Sequence, residues 1–168
     1  VIDFDSQFDV YIDTIDDAYP YLEIYTGDND FQRKWEIKIT QIPCHHLDRA
    51  PQGCLQYFRH VAGTVTSFNF LGQNHHLTNH HYTVCVKSET NYCSVTWEGD
   101  LLLMQNISSS SPVLTGRDCL SDYIVIPRMG GSRVCAGSLG GDVKAKGITS
   151  FLRPFVVHVN LDSNETTE

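Results

Sequence analysis

The chain has 168 residues, 12 Lys+Arg against 20 Asp+Glu, and a formal net charge of −8. That length holds one domain with a real core, or one domain and part of another. The acidity argues against nucleic acid as a partner, because phosphates need a basic face, and no run of about 18 apolar residues offers a membrane span.

The charge is unevenly placed. Residues 1–42 hold ten acids and three bases, a net of −7, whereas residues 43–168 hold ten acids and nine bases, a net of −1. The break falls at Pro43-Cys44, where the cysteines begin, and predicts a boundary between two structural units. Within the first unit, residues 7–15 approach apolar–polar alternation. Residues 21–25 are rich in strand formers, and Thr26-Gly27-Asp28-Asn29-Asp30 predicts a turn. Residues 35–42 alternate more cleanly, with Trp35, Ile37, Ile39 and Ile42 nearly on one face. Each of these predicts a half-buried strand. Asp3, Asp5, Asp9, Asp13, Asp16 and Asp17 crowd the same unit. They suit docking to a basic partner but lack the spacing of an EF-hand loop, and solvated strand faces account for most of them.

Beyond Cys54 the alternation continues over residues 64–70, 81–87, 93–98, 123–127 and 155–161. Gly130-Gly131-Ser132 and Gly140-Gly141-Asp142 separate the later runs. Short strands with Gly-rich turns and no long 3.6-residue periodicity predict an all-β sandwich or barrel. The expected core comprises Trp35, Ile37, Phe68, Phe70, Tyr82, Val84, Trp97, Ile124, Ile126, Phe155 and Val157.

All six cysteines lie between Cys44 and Cys135. Fifteen connectivities are open. Nearest-neighbour pairing is favoured, giving Cys44–Cys54, Cys85–Cys93 and Cys119–Cys135, because each pair brackets a turn-like stretch. Free thiols of a cytosolic protein are the alternative, and zinc is a weaker one, as no Cys-x-x-Cys occurs. Asn106-Ile107-Ser108 and Asn164-Glu165-Thr166 are N-glycosylation sequons. Together with the disulfides they point to a secreted, extracellular protein.

The stretch from Arg49 to Phe58, with Ala50-Pro51-Gln52-Gly53-Cys54-Leu55-Gln56-Tyr57 between, closely resembles a signature of arthropod CUB-domain proteins. Similar flanking pieces are Trp35–Ile42, Gly63–Phe70, His76–Asn79, Tyr82–Val86 and Cys119–Pro127, with Cys135 as the partner expected for Cys119. The resemblance runs over about residues 33–162. It implies a CUB-type jelly-roll β-sandwich of antiparallel sheets, disulfide-stapled, extracellular and non-catalytic. It also implies that residues 1–42 are the closing strands of a preceding CUB-like unit. Residues 43–168 then form a CUB domain without its usual closing strand, and an unfilled sheet edge invites strand addition.

Many members of that family hold calcium with three carboxylates. Asp122, after Cys119, matches the first position and Asp162 the second; for the third, Glu98 and Asp100 are nearest and neither fits the spacing. The plainer alternative, a hydrogen-bonded Asp122 and a solvated Asp162, is favoured. Three adjacent histidine pairs stand at His45-His46, His75-His76 and His80-His81. Neighbours on a strand face opposite ways, so only His76 with His80, or His75 with His81, offers a zinc or copper pair across a turn. Surface histidines are the favoured reading. No nucleophile elbow, His-Glu-x-x-His or phosphate loop occurs, so no catalytic residue is expected.

The functional expectation is an interaction module that binds extracellular proteins or glycans through loops and sheet edges, with no certain cofactor beyond the calcium option. The alternatives are a subunit of an extracellular assembly built by strand addition, and a non-catalytic arm of a larger secreted protease.

Overall fold

The computed structural model describes residues 9–14, 21–24, 34, 36–68, 77–100, 114–127, 133–136, 138–139 and 147–163. Among the described residues ten strands carry the fold: β1 (Cys54–Phe58), β2 (His81–Val86), β3 (Val95–Trp97), β4 (Gly99–Asp100), β5 (Leu114–Thr115), β6 (Tyr123–Val125), β7 (Arg133–Ala136), β8 (Ser138–Leu139), β9 (Ile148–Ser150) and β10 (Phe155–Asn160). A single 3-10 turn at Gly116–Asp118 is the one helical element among the described residues. The chain is therefore all-β, as its alternation and turn chemistry predict.

The main sheet has six strands in the order β1-β2-β10-β6-β7-β5. All its pairings are antiparallel except β1 with β2, which is parallel. This parallel pair departs from the expected all-antiparallel sheets. Two ribbons, β3–β9 and β4–β8, make the opposing layer. Between the layers lies a core of Ile124, Ile126, Val134, Leu139 and Val157, with Trp97, Ile148 and Val159 packed against it. These side chains come from β6 and the residue following it, β7 and β10 on one side and from β3, β8 and β9 on the other, so the arrangement is a sandwich. Farther along the main sheet, Phe68, Tyr82 and Val84 continue the same inner layer.

β10 sits between β2 and β6, and its first three residues, Phe155, Val156 and Val157, are all buried. Val157 faces the inter-layer core, whereas Val156 joins Cys54 and Cys85 in a separate cluster. A central strand covered on both faces loses strict alternation and reads as a continuous apolar run.

The disulfides correct the nearest-neighbour expectation. Cys54 is bonded to Cys85, with Cα atoms 5.7 Å apart, and not to Cys44. Parallel pairing of β1 with β2 sets Tyr57 against Cys85, and a register irregularity between Cys54 and Gln56 lets Cys54 reach the same face. Cys93 is likewise not bonded to Cys85. Both Cys44 and Cys93 are exposed thiols. Cys119 is bonded to Cys135 across the β6–β7 end of the sheet, at a Cα separation of 5.5 Å. Proximity in space here follows strand pairing, which brings together cysteines 31 residues apart.

Strands expected in residues 7–15, 21–25 and 35–42 do not form among the described residues there. Ile37 and Ile39 are 47% and 78% exposed, so Ile37 is not a core residue. Alternation yields a strand only where a partner completes the ladder. Residues 64–68 also lack a strand, although Phe68 is buried. Trp35 and Phe70 lie outside the described residues. β1 was not singled out by its alternation, because its buried residues include Gln56, which donates from Nε2 to the Thr66 carbonyl at 3.4 Å.

Gly147, just before β9, has φ +82°, and a Cβ there would lie 2.5 Å from the Trp97 carbonyl oxygen and 2.6 Å from Glu98 Cγ. Only glycine combines that backbone with that approach. Gly147→Ala should therefore destabilise the fold by about 1–3 kcal/mol, read from urea denaturation. Gly63→Ala, where a Cβ meets nothing within 4 Å, should stay within about 0.5 kcal/mol of the parent.

Candidate functional site

The antiparallel register of β2 and β10 gives the molecule two distinct ends. At one, His81 faces Asn160; at the other, Val86 faces Phe155. The loops that leave each end decide what each can do.

At the Asn160 end the ladder continues past the strands. Leu161 N–H donates to the His80 carbonyl at 2.8 Å, and Asn79 N–H donates to the Asp162 carbonyl at 2.6 Å. Asn79 takes the left-handed conformation, φ 55°, which lets the chain turn there. Asp122, 4% exposed and just before β6, accepts the Asp162 N–H on Oδ1 at 2.8 Å. The two aspartates singled out as calcium ligands are thus brought together, and the geometry displayed is a carboxylate tying the end of β10 to the start of β6. Calcium requires six to eight oxygens. Among the described residues Asp122 and Asp162 are the pair brought together here, and no group of three His, Cys, Asp or Glu side chains converges.

The histidines divide. His75 and His76 lie outside the described residues, so neither proposed cross-turn pair is displayed. His80 packs its ring 6.2 Å from Phe68 and 6.4 Å from Tyr82. His81 is exposed, and His46 Nδ1 accepts the Asp48 N–H at 3.1 Å. Tyr82, beside Phe68 at 5.1 Å, has its phenol pushed up to about 12 by burial, partly offset by a hydrogen bond to the Phe68 backbone. Asn106 and Asn164 also lie outside the described residues.

At the Phe155 end several loops meet. Lys87 N–H donates to the Phe58 carbonyl at 2.8 Å, and Lys87 Nζ pairs with Glu89 at 2.8 Å. The Glu89 contact raises the Lys87 pKa. Arg59 pairs with Asp48 at 2.8 Å. The Arg153 guanidinium donates to the Tyr92 carbonyl, which joins the β9–β10 loop to the β2–β3 loop. On these joined loops Phe151 is 71% exposed, and Tyr92 and Leu152 are about half exposed. Large apolar side chains gathered on one end are a feature of contact surfaces. Alternation could not single out Phe151 and Leu152, because a loop residue carries no periodic signal.

The third feature is an edge. Tyr11 N–H donates to the Leu55 carbonyl of β1 at 2.8 Å. The Tyr11 ring stands edge-on to Tyr57, with centroids 5.8 Å apart, and Asp13 pairs with Arg49 at 3.1 Å. Burial raises the phenol pKa of both tyrosines. Of the acidic residues that crowd the first unit, Asp13 therefore has a definite structural role.

Against known families, the animal CUB domain matches residues 51–168. The chain belongs to that family. No curated protein and no solved structure matches it significantly. CUB domains are β-sandwiches that generally act as non-catalytic protein-interaction modules, mostly extracellular, and the two disulfides of this one fit such a setting. No helix among the described residues is long and apolar enough to cross a membrane. Tyr11, Asp13 and Arg49 precede the matched stretch, whereas Leu55 and Tyr57 lie within it.

Two measurements check this geometry. Ultraviolet titration of the folded protein should show a tyrosine ionising at about 12. Its neutral form is favoured by folding, so its contribution to stability is whole below about pH 10 and is lost as pH rises toward the folded value. In the absence of calcium, Asp122→Ala should lower stability by about 1–3 kcal/mol, because it strips a partly buried N–H of its acceptor; chemical denaturation reads the loss.

Proposed function

We propose that this chain is a secreted, non-catalytic CUB module that binds extracellular proteins or glycans through the loops of its Phe155 end and through its sheet edge. The observation that carries the reading is the joined pair of loops presenting Tyr92, Phe151 and Leu152 to solvent. Arg153 fixes the loops together, so the apolar side chains stand on a braced platform. Arg153 also lies 5.7 Å from the Phe155 ring, which adds a cation–π tie to the core. Preorganised apolar groups on loops that also carry Lys87 and Glu89 suit a protein surface of mixed polarity.

Assembly by strand addition is the second reading, favoured by the Tyr11 contact on the β1 edge. N-glycans at Asn106 and Asn164 and the division of the chain near residue 42 belong to the same proposal. Calcium is a separate one, in which Asp122 and Asp162 would contribute two carboxylates. A calcium-dependent rise in melting temperature that Asp122→Asn abolishes would support it.

The main test is capture from the extracellular fluid of the source. Phe151→Ser/Leu152→Ser should keep the parent's circular dichroism and melting temperature, since both side chains are exposed. It should lose at least about tenfold in affinity for the captured partner, the loss expected when a contact residue worth about 1.4 kcal/mol is removed. Equal binding by parent and variant would move the binding surface away from this end.

A further inference from the structure

β1 is the long edge of the six-stranded sheet. It has five residues, against two in β5 at the opposite edge. Its inner side is engaged with β2, where the Phe58 carbonyl accepts the Lys87 N–H. Its outer side offers the Leu55 carbonyl, and Tyr11 N–H fills it. Alternate residues of the incoming segment make the side-chain contacts. Tyr11 meets Tyr57 and Asp13 meets Arg49, while Ile12 between them is 70% exposed. That is the side-chain alternation of an added strand.

The seat itself is braced. Arg49 donates from Nη1 to the Cys44 carbonyl at 3.3 Å and from Nη2 to Asp13, so the guanidinium is held in place from the side of β1. The Cys54–Cys85 bond fastens β1 to its neighbour. Among the described residues the occupant is held by one backbone hydrogen bond, one ring contact and one exposed ion pair. Nothing covalent ties it to β1, and Val10 and Ile12 remain exposed.

We propose that the outer edge of β1 is an exchangeable seat for the segment Asp9–Thr14, and that copies of this chain associate by trading that segment. The occupant is a second copy because the seat is matched, group by group, to this chain's own Tyr11 and Asp13. Every copy carries both halves, and exchange preserves each contact. Dilute chains keep their own segment, because its tether gives it an effective concentration in the millimolar range. Crowded chains trade. This deepens the sheet-edge half of the reading above and rests on it.

The probe is a fluorescein-labelled peptide of residues 7–16, added to the full chain and followed by anisotropy. Tyr11→Ala/Asp13→Ala vacates the seat, and this variant should bind the peptide at least about tenfold more tightly than the parent, whose own segment competes. Adding Arg49→Glu should reverse the gain. In sedimentation velocity at rising concentration, the parent should form a dimer that Tyr11→Ala/Asp13→Ala does not. A folded, vacated variant that binds no better than the parent would overturn the proposal, as would a dimer that survives the double substitution. Loop-dependent capture of a partner, lost on Phe151→Ser/Leu152→Ser, is read separately. If it persists while the peptide fails, the exchange falls and the interaction module stands.

Discussion

The antiparallel ladder between β2 and β10 is the constraint on which the remaining structure depends. Six residue pairs in unbroken register, from Phe155–Val86 to Asn160–His81, fix two strands that lie far apart in sequence. Every other member of the main sheet is placed by reference to them: β1 adds to β2, and β6, β7 and β5 follow from β10. Because side-chain direction has period two, the same register decides which residues enter the sandwich. Val84 and Val157 face inward as a pair, while Cys85 and Val156 share the opposite face. A slip of one residue would exchange these sets and bury Thr83 and His158, which now bond to each other at 2.9 Å.

The ladder also sorts the loops by function. Its Asn160 end is closed by backbone bonds from Asn79 and Leu161 and by the buried Asp122 carboxylate. Polar groups there are spent on holding the chain together. At its Phe155 end the Lys87–Phe58 backbone bond is joined by the Arg153 side chain tying separate loops together, while Phe151 and Leu152 stay outside. The end whose loops are braced by Arg153 keeps apolar surface in reserve, and this asymmetry favours the Phe155 end as the contact surface.

Much of the inner layer was legible in the alternation. Tyr82, Val84, Ile124, Ile126, Phe155 and Val157 are buried where their spacing places them. Ile37 fails the same test because a period-two pattern records only which residues would share a face if a neighbouring strand existed. It cannot supply that neighbour. The cysteines fail for a related reason. Spacing along the chain favoured Cys44–Cys54 and Cys85–Cys93, but Cys54 and Cys85 belong to paired parallel strands. A parallel pair needs a long crossover, so its partners are always distant in sequence. Asp122 and Asp162 were found through family resemblance. Their physical relation, a carboxylate accepting a backbone N–H, depends on β6 lying beside β10 and has no local signature. Phe151 and Leu152 had no signal at all, since exposure of a loop side chain is decided by what fails to cover it.

The Cys54–Cys85 bond bears on function through rigidity. An edge strand held only by its ladder can fray, and a frayed edge makes a poor template for a further strand. Here the bond joins β1 covalently to a strand that is itself central to the sheet, and Tyr57, Ala50 and Val156 pack around it. The Leu55 carbonyl and the Tyr57 ring are thereby presented in fixed relation. Preorganisation of this kind lowers the entropic cost of adding a strand. The opposite edge is shorter: β5 is two residues long and pairs with β7 across a register irregularity. The two edges of one sheet are therefore unequal. The longer edge is the one already touched by Tyr11.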